Sequence, residues 1–279
     1  MGDNAPWRRD DLFNQLVGNL SFRLLNCSIS VLKEDLDYRV RSPFSRILLG
    51  KANRAEVEQE GRRFVLEPGR AILVPTDTLT TFRTPRGVSF YWLYFRADYL
   101  GCIDLFQLVR PARLAVPGGK LTDHFRRLIR VFDNKDFGPR LTELHHLTAL
   151  LIPFMKGVGP SELNVKFSRI GRLIPAIRYV EDHLKESLTL GQLARSVHLS
   201  PVYFSNLFSD LMGMPPMRYV NRRRLLRARE YLLCSDDSVE LIARKVGFPD
   251  PFYFSRLFTR SEGVPPSRYR NSLRLATDR

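Results

Sequence analysis

The sequence is poor in cysteine and in histidine. Only three of its 279 residues are cysteine, and Cys27, Cys102 and Cys234 lie far apart with no CxxC pair among them. This odd, scattered set predicts neither a disulfide framework nor a zinc site, and it favours a reducing compartment, here the cytoplasm. Residues 1–123 contain no histidine, so the first half lacks the converging histidines that most metal-dependent active sites require.

Catalytic and membrane-spanning patterns are also missing. No GxSxG, GxGxxG or GxxxxGK(S/T) motif occurs, and no base accompanies the cysteines. The most apolar run, 147–155, is too short to cross a bilayer, and the amino terminus lacks the apolar core of a signal peptide. We therefore expect no catalytic residue, no cofactor, no metal ion and no membrane partner, and the chain is not predicted to be an enzyme.

Acidic residues are outnumbered by basic ones. There are 44 Lys and Arg residues against 29 Asp and Glu, which gives a formal net charge of +15. This excess indicates a polyanionic partner, and nucleic acid ranks ahead of an acidic membrane surface. The steepest charge feature is 215–229, with six arginines and no acidic residue.

The chain divides into two halves with different periodicity. From about 22 to 95, β-branched and aromatic residues alternate between closely spaced glycines and prolines, as in an antiparallel sandwich or barrel. After 119 the apolar residues recur every three or four positions, which predicts two helices near 121–132 and 141–155. One face of these helices is expected to pack on the barrel and another on a second subunit; burial of both faces within one chain is the alternative.

The second half contains an internal repeat. Residues 203–219 (YFSNLFSDLMGMPPMRY) return as 253–269 (YFSRLFTRSEGVPPSRY), and ten of the seventeen positions are identical. Each copy follows a short predicted helix and a tight turn, so each unit reads helix, turn, helix. Helices are predicted near 174–185, 190–197, 201–211, 216–234, 238–245, 251–261 and 266–274.

The second helix of each unit is predicted to read DNA. Its apolar residues recur on one face, so their polar neighbours project outward, where arginine can pair with guanine and asparagine with adenine. The residues predicted to face bases are Val202, Ser205, Asn206, Phe252, Ser255 and Arg256, and those predicted to face phosphates are Ser209, Thr259 and Arg260. The aromatic residues Tyr203, Phe208, Tyr253 and Phe258 are expected in the core instead.

Residues 216–234 connect the two units. As one helix they would span ~28 Å, which approaches the ~34 Å of one duplex turn. This length would place both reading helices in successive major grooves on one face of the duplex. Arg222, Arg223 and Arg227 are predicted to contact phosphates along the connector, with Arg224 and Arg229 in the same cluster; a solvated helix face is the alternative.

These motifs resemble the DNA-binding domain of the AraC/XylS family of bacterial transcription regulators. The resemblance rests on LARSV, YFSNLF, GMPPMRYV, RLLRAREYL, LIARKVGFPDPFYFSRLF and GVPPSRYR, over about 110 residues. It implies that the connector is one helix and that both second helices enter the major groove. One departure is His198, which stands where the second unit has Gly247. The turn between the two helices of the first unit is also one residue shorter, which predicts a different position of the first reading helix.

The first half resembles the cupin-like effector-binding barrel of the same family, through FVLEPGRAILVP (64–75) and YWLYFR (91–96). Similarity to arabinose-responsive members implies that Trp92 stacks on a sugar and that Arg39 donates to its hydroxyls, with Arg41 or Arg46 as substitutes. Thr80 and Phe82 are added to this predicted effector site. An ordinary core role for Trp92 is the alternative. Arg70 and Thr80-Thr81 depart from the family pattern, so no known ligand can be transferred.

The expected fold class is α+β. An arm and a cupin-like antiparallel β-barrel occupy 1–118, a helical dimerisation segment 119–156, a linker 157–166, and an all-α DNA-binding domain 167–279, with helix-turn-helix units at about 190–211 and 239–261.

The expected function is sequence-specific transcription regulation, as an activator, in response to a small molecule, with a sugar as the leading class. Expected partners are double-stranded promoter DNA, the effector, RNA polymerase and a second copy of the chain. Two alternatives are a nonspecific DNA-architectural protein and a regulator of this family without a ligand.

Overall fold

A computed structural model of the chain describes residues 18–115, 120–132, 137–158 and 170–277. The predicted arm and most of the predicted linker lie outside these ranges. Within them the first half is built from strands and the second from helices, so the expected α+β class is confirmed.

The first half forms two antiparallel sheets. The strands are β1 Leu20–Val31, β2 Leu36–Arg41, β3 Ser45–Ala52, β4 Ala55–Gln59, β5 Arg62–Leu66, β6 Ala71–Val74, β7 Leu79–Thr84, β8 Ser89–Tyr99, β9 Ile103–Asp104 and β10 Leu114–Ala115. One sheet has the order β1-β8-β3-β6-β10, with β9 paired to β8, and the other has the order β2-β7-β4-β5. The cupin-like barrel is therefore an open one, made of two sheets.

Strand β8 shows how the sheets divide the apolar residues. Its side chains alternate, so Trp92 joins the interior cluster together with Phe82, whereas Leu93 and Phe95 join the cluster on the outer face. Helices α2 (Lys120–Val131) and α3 (Phe137–Met155) contact that outer face, where the rings of Tyr91 and Phe125 are 5.7 Å apart. A short helix that the sequence did not predict, α1 (Leu105–Leu108), precedes them.

The second half is helical, and its boundaries agree closely with those predicted. After a 3-10 turn at Gly171–Leu173, the helices are α4 Ile174–Asp182, α5 Leu190–Arg195, α6 Pro201–Met212, α7 Pro216–Cys234, α8 Val239–Lys245, α9 Pro251–Glu262 and α10 Pro266–Thr277. The resemblance implied a single connector helix, and α7 is unbroken over nineteen residues. No helix among the described residues combines the length and apolarity needed to span a membrane.

Asp104 provides a pH-sensitive site in the fold. Its carboxylate caps α1 by accepting a hydrogen bond from the Phe106 N–H at 2.9 Å. Burial, followed by the nearby charge of Asp98, raises the pKa of Asp104 to about 7. The folded protein therefore binds this proton more tightly than the unfolded chain does.

We expect the free energy of unfolding to fall by a few kcal/mol between about pH 4 and pH 7, since one pKa unit corresponds to about 1.4 kcal/mol. Asp104→Asn keeps a good capping residue and should remove most of this decrease. Urea unfolding at pH 5 and pH 8 measures the change in the free energy of unfolding. Asp37→Asn, at an exposed aspartate, is the control. An equal decrease in the Asp104 variant would assign the pH dependence to other groups.

Candidate nucleic-acid interface and effector site

The two predicted reading helices, α6 and α9, are delimited by the same local chemistry. Ser200 caps α6 by accepting from the Tyr203 N–H, and Asp250 caps α9 by accepting from the Phe252 N–H. Both helices end at a left-handed glycine, Gly213 with φ 69° and Gly263 with φ 76°. The duplicated sequence therefore folds into two duplicated helices.

Their packing is duplicated as well. Phe208 in α6 is buried and its ring meets Tyr219 of α7 edge-on at 5.3 Å; Phe258 in α9 meets Tyr269 of α10 edge-on at the same distance. Such edge-to-face pairs add to the stabilisation from burial. They fix the rotation of each reading helix about its own axis, and with it the residues that face solvent.

Two aromatic residues do not lie where they were predicted. Tyr203 is 49% exposed and Tyr253 is 44% exposed, although both were expected in the core. Each precedes a buried phenylalanine, and one helical step of about 100° carries its ring away from the core. The expectation for Tyr203 and Tyr253 was therefore wrong, whereas the expected burial of Phe208 and Phe258 is confirmed.

The residues predicted to read bases lie on the accessible side of the two helices. Val202 is 73% exposed and Phe252 is 80% exposed, at the first turns of α6 and α9. Exposure of such large apolar side chains to water is unfavourable. Asn206 and Arg256 are exposed, and Ser205 and Ser255 are partly exposed. Beside them, Ser255, Arg256, Thr259 and Arg260 line one shallow groove. Ser209 occupies the position in α6 that Thr259 occupies in α9, and both are partly exposed.

The turn before each reading helix has a left-handed residue. Gly247 has φ 92°, and a Cβ there would lie 2.4 Å from the carbonyl oxygen of Leu184, so only glycine fits. His198 adopts φ 55° at the matching position of the first unit. Non-glycine residues adopt this conformation at some cost in free energy. The replacement of glycine by histidine therefore leaves the left-handed turn in place.

The five connector arginines all have partners inside the protein. Arg223 donates to both carboxylate oxygens of Glu181, at 2.6 and 2.9 Å, and its side chain is 11% exposed. Arg224 donates to the backbone oxygens of Leu184 and Glu186. A phosphate contact by Arg223, as predicted, would require its buried ion pair to break first.

Arg227 and Arg222 are the more accessible of the predicted phosphate contacts on the connector. Arg227 is 47% exposed and pairs with Glu230 one turn along α7. Arg222 is 38% exposed, and its Nε lies 2.6 Å from Asp77. An exposed pair contributes little and exchanges its partner easily, so Arg227 is the connector arginine best placed to bind a phosphate.

Asp77 joins the two halves of the molecule, a role the sequence did not suggest. It lies between β6 and β7, and its two carboxylate oxygens accept from Arg222 and Arg229, each at 2.6 Å. The side chain of Arg229 is buried and also contacts Glu262 of α9 at 3.2 Å. We call Asp77, Arg222, Arg229 and Glu262 the interdomain clamp.

The clamp is a charged network in which the side chains of Asp77, Arg229 and Glu262 are buried and that of Arg222 is partly exposed. Burial alone would raise the pKa of Asp77, but the positive charges of Arg229 and Arg222 outweigh it and lower that pKa. Two further bonds lie beside it: Arg41 donates to the backbone oxygen of Asp77, and the Tyr269 hydroxyl donates to the backbone oxygen of Arg41. The loop between β6 and β7, strand β2, the connector helix, and helices α9 and α10 thus meet at one point.

Four of the five predicted effector residues share the interior between the two sheets. The Arg46 guanidinium lies over the Phe82 ring, 4.8 Å from its centroid, and is almost fully buried. Thr80 is two residues from Phe82 on the same face of β7. Trp92 belongs to the same apolar cluster as Phe82, and its Nε1 donates to the Ser30 hydroxyl at 2.9 Å.

Arg39 is not part of this interior set. The burial of β2 alternates, with Val40 facing inward and Arg39 exposed on the opposite face. A strand turns successive side chains to opposite sides, so Arg39 and Val40 cannot both face inward. Of the two substitutes, Arg41 is engaged by Asp77, and Arg46 alone lies inside. The alternation of β2 was the sequence signal that would have made this choice.

Comparison with known proteins assigns a family to each half. The family model described as "AraC-like ligand binding domain" matches residues 54–151, and the one described as "Helix-turn-helix domain" matches residues 193–272. The Regulatory protein PocR of Salmonella typhimurium is 47% identical over 73 residues, which cover 26% of this chain and 24% of PocR. The chain thus spans only about a quarter of that relative.

Longer matches cover both halves. The Arabinose operon regulatory protein of Escherichia coli is 28% identical over 206 residues, which cover 70% of this chain and 69% of that protein. The crystal structure of ToxT from Vibrio cholerae aligns with 89% of this chain and 94% of its own, at a TM-score of 0.60 and 12% identity, and thereby shows the same fold. Because a ligand-binding match and a helix-turn-helix match follow each other and together span more than half of the sequence, the chain belongs to the AraC/XylS family of transcription regulators.

Proposed function

We propose that this protein is a sequence-specific DNA-binding transcription regulator whose cupin-like half binds a small-molecule effector, with a sugar as the leading class. The observation that carries the proposal is the pair of exposed reading surfaces, which occupy the same positions of α6 and α9 and are separated by one unbroken connector helix. In this role Asn206 and Arg256 contact bases of promoter DNA, and Ser209, Thr259, Arg260 and Arg227 contact phosphates. The protein then acts in the cytoplasm, as an activator that contacts RNA polymerase.

The interior between the sheets supports a ligand with oxygen acceptors. Arg46 is almost fully buried, and its Nε and Nη2 have no hydrogen-bond partner among the described residues. Tyr38 and Tyr94 hydrogen-bond with the rest of this guanidinium. Because buried donors without a partner are costly, a ligand acceptor would stabilise the two remaining nitrogens. The rings of Trp92 and Tyr94, 4.8 Å apart, provide apolar faces nearby. Sugar hydroxyls with apolar ring faces match this combination.

The interdomain clamp offers a route from effector to DNA. Asp77 lies in the loop that leads into β7, and Thr80, three residues further along the chain, is the second residue of that strand. Occupation of the interior would shift this segment and with it the acceptor that holds Arg222 and Arg229 on α7. The effector would then change how α7 and the reading helices are held against the sheets.

A second copy of the chain fits the exposed face of α3. Leu141 is 54% exposed, Leu144 is 42% exposed and Ile152 is 61% exposed, and all three lie on one side of that helix. Large apolar residues clustered in this way are typical of a protein–protein interface. We propose that this face forms a homodimer.

Ile152→Arg should raise the dimer dissociation constant at least tenfold, which corresponds to about 1.4 kcal/mol, because the interface would have to desolvate a charge. Sedimentation equilibrium measures this effect. Val65→Arg, at a residue 40% exposed on β5, is the matched control. An unchanged dissociation constant for Ile152→Arg would exclude this face as the interface.

Selection of bound sequences from a random DNA pool, with and without a panel of sugars, tests the proposed function. A bipartite motif about one duplex turn across is expected from two reading helices on one connector, and enrichment that depends on a sugar would support the effector. Arg46→Met should abolish that dependence without changing the motif. The absence of any enriched motif would contradict sequence-specific regulation and favour nonspecific DNA binding.

A further inference from the structure

Three histidines meet on the α2–α3 hairpin, outside the DNA-binding and effector regions. His124 lies on α2, and His145 and His146 lie on α3. Their ligand nitrogens are all within 4.8 Å of one another, and Nδ1 of His124 lies 2.8 Å from Nδ1 of His146. We propose that these three imidazoles form a binding site for a divalent transition metal ion, with Zn²⁺ as the representative ion.

The geometry is close to that of a three-histidine site. Zinc–nitrogen bonds of about 2.0–2.1 Å in a tetrahedral arrangement hold ligand nitrogens about 3.3 Å apart. The His124–His146 distance is somewhat shorter than this, and the widest separation is somewhat longer. Because His145 is exposed, its ring can rotate inward without repacking the core. The ion would take the place of the hydrogen now shared by the two Nδ1 atoms.

The burial of the three histidines and the charges around them affect the affinity of the site for a metal ion. His146 is buried, His124 is partly buried and His145 is exposed, so an ion can reach the site from solvent in a single copy of the chain. His145 is one turn from Leu141 on α3, so the site adjoins the proposed dimer face. A metal ion binds an imidazole only in its neutral form, so binding requires that the three rings are not protonated. Around His124, Asp123 favours a cation, whereas Lys120 and Arg127 oppose it. We therefore expect weaker binding than at a structural zinc site.

The ligand types select the class of ion. Imidazole suits Zn²⁺, Cu²⁺, Ni²⁺ and Co²⁺, whereas Mg²⁺ and Ca²⁺ prefer oxygen ligands. Three ligands leave a fourth tetrahedral position for water or another group. The sequence suggested no metal site because the spacing of 124 from 145 and 146 matches no short metal motif; the antiparallel hairpin of α2 and α3 brings them together.

Cobalt titration of the untagged, full-length protein, followed by visible absorption, tests the site. One equivalent of Co²⁺ should give the intense bands of a four-coordinate ion, and Zn²⁺ should displace it. His145→Ala and His124→Gln should each raise the cobalt dissociation constant at least tenfold. His183→Gln, at the residue that directly follows α4 and lies outside the cluster, should not change it. Circular dichroism checks that each variant remains folded.

Three results would overturn the proposal. The first is the absence of saturable cobalt binding at one equivalent. The second is equal affinity in the wild type and in the His124→Gln, His145→Ala double variant. The third is a thiolate-to-cobalt band in the near ultraviolet that disappears in Cys234→Ser, since Cys234 is an exposed thiol that could bind the ion instead. None of these results depends on DNA binding, so the site and the proposed function are tested separately.

Discussion

Asp77→Asn is expected to lower the free energy of unfolding by about 3 kcal/mol, the lower end of the loss when one partner is removed from a buried ion pair. The substitution keeps the size of the side chain but removes the charge that two arginines share. Arg229 is buried and would retain Glu262 as its charged partner in the clamp, while Arg222 would lose its charged partner. Calorimetry should also show separate transitions for the two halves, since the clamp connects them.

The pH dependence of this loss identifies its origin. Because the pKa of Asp77 is lowered in the folded protein, its stabilisation is fully present above the ordinary aspartate pKa and disappears as the pH falls through the lowered value. The difference between wild type and Asp77→Asn should therefore shrink at low pH. Asp37→Asn is the matched control, because Asp37 is 72% exposed and lies 4.0 Å from Arg83. If both variants lost the same stability, the clamp would not be the cause.

Arg256→Ala is expected to weaken binding to the selected operator by about 1–3 kcal/mol, roughly 5- to 150-fold, and to relax discrimination at one base pair. Arg256 is exposed on α9 and lines the groove formed with Ser255 and Thr259, so its loss should leave the fold intact. A bidentate pair with guanine is the contact that this side chain makes best. Binding to a library of single-base operator variants measures both effects.

Two comparisons separate base reading from general charge. Arg54→Ala removes the same charge from a residue of the cupin-like half whose side chain is 76% exposed, and it should leave discrimination unchanged. Asn206→Ala should relax discrimination at a different base pair, about one duplex turn from the position that Arg256 reads. Uniform weakening across all operator variants would instead assign Arg256 to a phosphate.

Local patterns in the sequence were enough to predict the helices of the second half. The boundaries of α6 and α9 follow from residues next to each other in the chain: a capping Ser200 or Asp250, a proline at the first turn, and a glycine that ends the helix. The 3.6-residue period placed Phe204, Phe208, Phe254 and Phe258 in the core, where they are found. The antiparallel character of the first half also followed from alternation and turn spacing, although the openness of its two sheets did not.

These local patterns could not predict contacts between distant parts of the chain. A run of arginines in 215–229 predicted a phosphate-binding helix face, but their acceptors are far away in sequence: Asp77 is 145 residues from Arg222 and 152 from Arg229. No periodicity within α7 reveals where such carboxylates lie. Arg39 was a different case, since the alternation of β2 already distinguished it from its inward neighbour Val40.

The sequence by itself determined the family, the two-part architecture and the positions of the exposed residues that we propose to read DNA, because these depend on repeats, caps and periodicities within short segments. The tertiary structure alone decided which charges are buried together and which histidines meet. Those outcomes depend on how the sheets, the α2–α3 hairpin and the connector helix pack. Packing brings together His124 and His146, which are 22 positions apart, and it brings Asp77 to arginines that are 145 and 152 positions away.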